Sequence, residues 1–221
     1  MNRACLVLAA TCCVGCAAAE DLVTINIGAG DLQTVKIEQS LMIGDTPQIP
    51  SCIPIPITLS QENASAELTP VAGGCALTLS QTNLVIVDQK EVENARKQAG
   101  PFDIDGITGA RVELLKLSLQ NQDGAALPLA QYVDSVTVQV DNDTVLDKTA
   151  ASELQNNTPK ADLPDALVNK LKSAVKSNHP ATADVKLTFW LDGAKLVQLP
   201  TALHISAVIQ PELDVNVLKA L

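Results

Sequence analysis

Polar and apolar side chains alternate along most of the chain, and this two-residue period constrains the fold more than any other feature. Successive side chains of an extended strand point to opposite faces, so alternation is typical of strands with one face in a core. The segments that carry it are 22–27, 32–37, 77–80, 84–87, 112–119, 133–140, 185–191, 194–199 and 203–209. We expect each of them to be a strand.

Two turn signals indicate where strands reverse. Asp192 and Gly193 lie between two alternating segments, and an Asp-Gly pair is typical of a two-residue hairpin turn. Another reversal is expected at 141–143, directly after the strand 133–140, because Asp and Asn tolerate the backbone of tight turns. Both signals favour antiparallel neighbours.

Two segments lose the alternation and carry helix signals. The first is 88–98, with Asp88 as the expected N-cap. The second is 163–177, where apolar residues recur every four positions on one face. Asp162 is its expected cap, and Pro164 lies in its first turn.

These elements predict a mainly β fold, an antiparallel β-sandwich of immunoglobulin-like broad architecture with two short helical connections. The chain has 221 residues and 47% hydrophobic content, which suffices for one core. We expect a single domain over 22–221. A seam near 89–100 would instead divide it into two β units, and the sequence leaves this alternative open.

The N-terminal residues have the form of an export signal. Arg3 precedes an apolar run over 4–14, roughly half the length that a membrane-spanning helix needs. The residues Val14-Gly15-Cys16 resemble the end of a bacterial lipobox, in which a small residue precedes the cysteine that receives diacylglycerol. The resemblance implies a signal peptide at 1–15 and a lipid-modified tether at 16–21 that begins with Cys16.

The same resemblance implies a lipoprotein of the bacterial cell envelope, attached to the membrane through its N-terminal lipid. Ala17 resembles the residue that lets such lipoproteins pass to the outer membrane. The alternative is cleavage after Ala19, because 17–19 also form an A-x-A signal-peptidase site. That cleavage would give a soluble periplasmic or secreted protein.

Composition argues against several classes of partner. The formal charge is −10, and a chain this acidic is repelled by the phosphates of nucleic acids. The sequence has no phosphate-binding glycine loop, because the pair Gly28 and Gly30 lacks the third glycine of a dinucleotide fold. We therefore expect no nucleic acid, no nucleotide and no cofactor.

Catalytic motifs are missing from the sequence. Neither His179 nor His204 has a second histidine, a cysteine or a carboxylate at ligand or catalytic spacing. No G-x-S-x-G serine motif occurs. We expect both histidines to be structural and the protein to have no catalytic activity.

Acidic residues at strand ends are the remaining candidates for a site. Calcium could be bound by Asp103, Asp105, Asp141 and Asp143, since carboxylates are its preferred ligands. Turns select the same residues for local hydrogen bonds, and no calcium-loop motif is present. We therefore expect no bound metal.

These observations favour a structural or interaction module of the cell envelope, with another envelope protein as a candidate partner. The alternative function is a carrier of an apolar ligand or lipid in a β-lined cavity. Its support is the abundance of aliphatic residues beside only four aromatic ones. A large apolar cavity would favour the carrier.

Two cysteines, Cys52 and Cys75, lie outside the leader, and we expect a disulfide between them because exported proteins meet an oxidising compartment. In the chain-entropy estimate, closing this loop contributes about 3.4 kcal/mol to stability. Thiol labelling of the denatured, unreduced mature protein should detect neither cysteine, and the double Cys→Ser variant should lose a few kcal/mol. Labelling at both sites would refute the pairing.

Overall fold

The computed structural model describes residues 24–27, 35–42, 58–59, 63–93, 107–193 and 202–216. Within these ranges two antiparallel sheets form a β-sandwich, as the sequence predicts. No helix in the described ranges is long and apolar enough to cross a membrane.

The strands are β1 Thr24–Ile27, β2 Val35–Met42, β3 Thr58–Leu59, β4 Ala64–Val71, β5 Gly74–Val87, β6 Ile107–Asn121, β7 Ala126–Leu127, β8 Ser135–Val140, β9 Asp143–Ala150, β10 Lys160–Asp162, β11 Ala181–Asp192 and β12 Ala202–Asn216. The helices are α1, described over 89–93, α2 Leu129–Tyr132, α3 Ala151–Asn156 and α4 Asp165–Ser177.

The larger sheet has the order β10-β6-β12-β2-β3, with β1 also paired to β12 and β7 to β6. The smaller sheet has the order β4-β5-β11-β8-β9. Each sheet joins strands from before and after residues 89–100, since β2 pairs with β12 and β5 with β11.

Most predicted strands are confirmed with changed ends. The segments 77–80 and 84–87 are parts of one strand, β5, whereas 194–199 lies outside the described residues. Sequence alternation missed β3, β4, β7, β9 and β10, and it missed the helices α2 and α3.

The two turn predictions have opposite outcomes. The reversal after β8 is confirmed: Asp141 and Asn142 have φ of 50° and 73°, and Val140 pairs with Asp143 across the turn. The hairpin at Asp192-Gly193 is wrong. β11 already pairs with β5 on one edge and β8 on the other, so no edge is left for a following strand.

Helix α1 begins with the expected cap. The Asp88 carboxylate accepts a hydrogen bond from the Glu91 backbone N–H at 2.8 Å, and the Glu91 carboxylate accepts one from the Asp88 N–H at 2.5 Å. This reciprocal pair is a capping box. The predicted end of the helix lies outside the described residues.

Helix α4 begins at Asp165, so the predicted cap at Asp162 is wrong. Asp162 is still in β10, where it pairs with Arg111, and the Leu163 N–H donates to the Ala110 carbonyl at 2.8 Å. These backbone pairs keep the chain extended until Pro164, the observed N-cap.

The core lies between the sheets and continues beneath α4. Phe189 and Ile205 come from the two different sheets, and each is at most 2% exposed to solvent. A second cluster packs the apolar face of α4 against both sheets; its helical members are Leu167, Val168, Leu171 and Val175. The helix therefore covers apolar surface that the sheets leave open.

Leu171 tests the contribution of this helix. Leu171→Ala should lower the free energy of unfolding by roughly 2–5 kcal/mol, because it removes a buried side chain and leaves a cavity. Ser173→Ala, at an exposed position of the same helix, should change it by less than about 0.5 kcal/mol. Urea unfolding measures both values, and equal effects would contradict the packing of α4.

Candidate functional site

An open pocket of about 370 Å³ lies at one end of the larger sheet, and we call it the Ser40–His204 pocket. It is bounded by strands β2, β6 and β12 and by the turn after β6. Its lining residues are Ser40, Gln120, Asn121, Gln122, Gly124, Ala202, Leu203 and His204. Hydroxyl, amide and imidazole groups dominate this list.

Strand register brings the polar residues of the pocket together. His204 lies directly opposite Ser40 on β2 and directly opposite Gln120 on β6. Residues opposite each other in a sheet share a face, and so do residues two apart on one strand. Glu38 therefore lies on the same face as Ser40, His204 and Gln120.

A hydroxyl, an imidazole and a carboxylate form a line on this face. The Ser40 Oγ is 3.0 Å from His204 Nδ1, and His204 Nε2 is 4.0 Å from Glu38 Oε1. At 4.0 Å the Glu38 carboxylate is too far for a direct hydrogen bond, but its negative charge favours the tautomer with the proton on Nε2. His204 Nδ1 can then accept the hydrogen bond of the Ser40 hydroxyl.

The turn that borders the pocket is held by one side chain. Asn121 Oδ1 accepts hydrogen bonds from the backbone N–H groups of Asp123 at 3.1 Å and Ala125 at 2.8 Å. Gly124 has φ of 79°, which favours glycine there. The rim beside Gln122 is thus fixed by local hydrogen bonds.

The sequence shows no partner for His204 at ligand or catalytic spacing, but the structure places Ser40 beside it. Its strand position was correct, but Ser40 is 164 residues away in the chain. Spacing along a sequence cannot reveal a contact that arises from the pairing of two strands. His179 lies after α4, where its backbone N–H donates to the Ala174 carbonyl.

The predicted calcium residues separate into two groups. Asp103 and Asp105 lie outside the described residues. Asp141 accepts hydrogen bonds from Lys170 Nζ at 2.5 Å and from the Asp184 N–H at 2.8 Å, while Asp143 begins β9. Across the described ranges, no three His, Cys, Asp or Glu residues are grouped to hold a metal ion.

The predicted lipidation and disulfide residues are mostly beyond the described part of the chain. Cys16 and Cys52 both lie outside it. Cys75 is completely buried on β5. The pairing of Cys52 with Cys75 stays a prediction.

A second polar cluster has a structural explanation. Lys160 on β10 bridges Glu212 at 3.0 Å and Glu113 at 3.1 Å, and Arg111 bridges Asp214 at 2.7 Å. Hydrogen bonds that Lys160 donates to the carboxylates of Glu212 and Glu113 raise the pKa of Lys160. The Lys160 contacts attach the three-residue edge strand β10 to β6 and β12, and the Arg111 contact joins β6 to β12.

The apolar space beneath α4 is small. Its volume is about 40 Å³, and aliphatic residues and one proline line it, among them Leu84, Leu167 and Ile209. Ligand pockets typically hold about 300–1,000 Å³, so this space is too small for an acyl chain. It therefore gives no support to a lipid carrier.

Comparison with known proteins finds no match to a protein family, to a curated protein or to a solved structure.

Asp141 predicts a specific acid dependence of stability. Burial raises the pKa of Asp141, but hydrogen bonds from Lys170 and the Asp184 N–H outweigh this and lower it below its usual 3.8. The charged carboxylate therefore stabilises the fold above this value, and the contribution is lost as pH falls through the lowered pKa. Asp141→Asn should remove this contribution.

Urea unfolding of the wild type and Asp141→Asn, measured between pH 7 and pH 2, tests this dependence. The stability difference should be largest at neutral pH and should shrink in acid. Asp143→Asn, in the same turn, is the matched control. A difference that stays constant with pH would contradict the role of the Asp141 charge.

Proposed function

We propose that the protein is an exported, lipid-anchored module of the bacterial cell envelope that binds a partner through the Ser40–His204 pocket. Cys16 carries the lipid in this proposal, and the outer membrane is its destination. The proposal combines the lipobox-like residues Val14-Gly15-Cys16 with the direction in which the chain enters the sandwich.

Chain direction is the observation that carries the proposal. Thr24, the first residue of β1, pairs with Asn216 at one end of β12, whereas His204 lies near the other end. Twelve residues separate the two positions, which corresponds to roughly 40 Å of strand. A lipid near the start of the chain and the pocket would thus lie at opposite ends of the larger sheet.

The length of the tether is consistent with this arrangement. Eight residue steps join Cys16 to Thr24, and an extended chain of that length spans at most about 29 Å. The end of the sandwich with β1 would therefore stay near the membrane surface. The pocket would face away from it, where an envelope partner can approach.

Binding is favoured over transport of an apolar ligand. The space beneath α4 holds only about 40 Å³, whereas the Ser40–His204 pocket holds about 370 Å³ and opens to solvent. Volumes of 300–1,000 Å³ are typical of ligand pockets. The sequence predicts no catalysis, and covalent labelling of Ser40 by a serine-directed probe would contradict that prediction.

Two measurements test the anchor and the orientation together. Mass spectrometry of the membrane-extracted protein should find a diacylated N-terminal Cys16. A dye at Thr108→Cys should then transfer energy to acceptor lipids in vesicles more strongly than a dye at Gln122→Cys. Position 108 is the second residue of β6 and position 122 directly follows its last residue, so the two are roughly 45 Å apart.

The Cys16→Ser variant is the control, because it should remain off the vesicles at either dye position. Wild-type protein controls for labelling of the native cysteines. An unmodified N-terminus at Glu20 would refute the anchor, and equal or stronger transfer from position 122 would refute the orientation.

A further inference from the structure

We propose that Ser40 is an activated nucleophile and that the Ser40–His204 pocket transfers acyl groups, with small neutral esters as substrates. This goes beyond the proposed binding function and is independent of the lipid anchor. Ser40 and His204 are the catalytic residues of the proposal, and Glu38 is a positioning residue.

The distances fit the requirement for an activated hydroxyl. A nucleophile and its base must be within hydrogen-bond reach, and a third group should orient the base. Ser40 Oγ and His204 Nδ1 are 3.0 Å apart, and Glu38 lies 4.0 Å beyond the other ring nitrogen. In the tautomer with its proton on Nε2, the free electron pair of Nδ1 faces the hydroxyl.

The reaction needs no further reagent than the ester and water. The Ser40 Oγ attacks the ester carbonyl and forms a C–O bond, while its proton passes to His204 Nδ1. The ester C–O bond then breaks, and the leaving alcohol takes that proton. Water, deprotonated by His204, then attacks the acyl carbon. The bond from that carbon to Ser40 Oγ breaks, His204 returns the proton to Ser40 Oγ, and the acid is released.

Side-chain amides in the lining of the pocket are the candidate donors for the oxyanion that forms during attack. Gln120 is in register with His204, and Asn121 and Gln122 follow it around the rim. Side-chain amides can stabilise such an oxyanion. Glu38 and the net charge of −10 disfavour anionic substrates, so the chemistry points to neutral esters.

Other hydrogen bonds of hydroxyl groups in the same protein show what distinguishes Ser40. Thr78 and Thr188 form a cross-strand contact at 3.2 Å in the smaller sheet, and Ser118 Oγ donates to the Ser206 carbonyl at 3.5 Å. Neither contact includes a titratable base. Ser206 lies on the same face as His204, two residues along β12, and provides a matched control.

A fluorophosphonate probe tests the nucleophile in the full-length mature protein. We expect one probe per chain, and peptide mass spectrometry should locate it on Ser40. We also expect slow hydrolysis of a short-chain aryl ester. Ser40→Ala should abolish both signals. His204→Asn should slow them roughly 100-fold or more, and Ser206→Ala should leave them unchanged.

Folding must be checked for each variant by its urea unfolding midpoint. Absence of labelling in folded wild-type protein would overturn the proposal, as would labelling that survives Ser40→Ala. These outcomes would leave the lipid anchor and the orientation of the sandwich intact, because those are tested by the N-terminus and by energy transfer on vesicles.

The role of Glu38 has a separate readout. In the wild type, ¹⁵N NMR of His204 should show the proton on Nε2, and Glu38→Gln should shift it toward Nδ1 and slow probe labelling. A stabilising role alone would leave the tautomer unchanged. An Nδ1–H tautomer in the wild type would overturn the proposed base.

Discussion

Pairing along both edges of β11 and β12 is the interaction on which the rest of the structure depends. β11 lies between β5 and β8, and β12 lies between β6 and β2. Both strands come late in the sequence, so neither sheet is complete until the chain beyond Ala181 is present. Folding rates fall as the sequence separation of contacts rises, and this topology is therefore expected to fold in milliseconds to seconds.

The central strands could be predicted from sequence, whereas most of the strands at sheet edges could not. Every second residue of β11 from Ala181 to Leu191 is buried, and all of these buried positions hold apolar residues in the sequence. In β4 only Leu68 is buried. In β9, Lys148 lies 4.4 Å from the centre of the Trp190 ring and supplies packing without an apolar stripe. Edge strands need no continuous apolar face, so alternation does not mark them.

The failed hairpin shows how sheet pairing overrides a local turn signal. The Gly193 N–H donates to the Gly73 carbonyl at 3.2 Å, and Gly74 lies so close to β11 that a Cβ would be 1.9 Å from the Leu191 oxygen. Glycine at position 74 lets the start of β5 pack against the end of β11. The Asp192-Gly193 pair therefore ends a central strand. The turn signal in these two residues does not indicate which strands pair with β11.

The geometry of the site follows from the core rather than from any local motif. Ile37 and Ile205 are buried, and this places Ser40 and His204 together on the opposite, outer face. A shift by one residue would turn Ser40 to the inner face, and a shift by two would separate the pair while keeping the faces correct. Only the partner strands, β2 and β12, decide between these registers. The imidazole could be placed on a strand from sequence, whereas Ser40 lies beyond the predicted strand 32–37. Their contact required the register in which β2 and β12 pair.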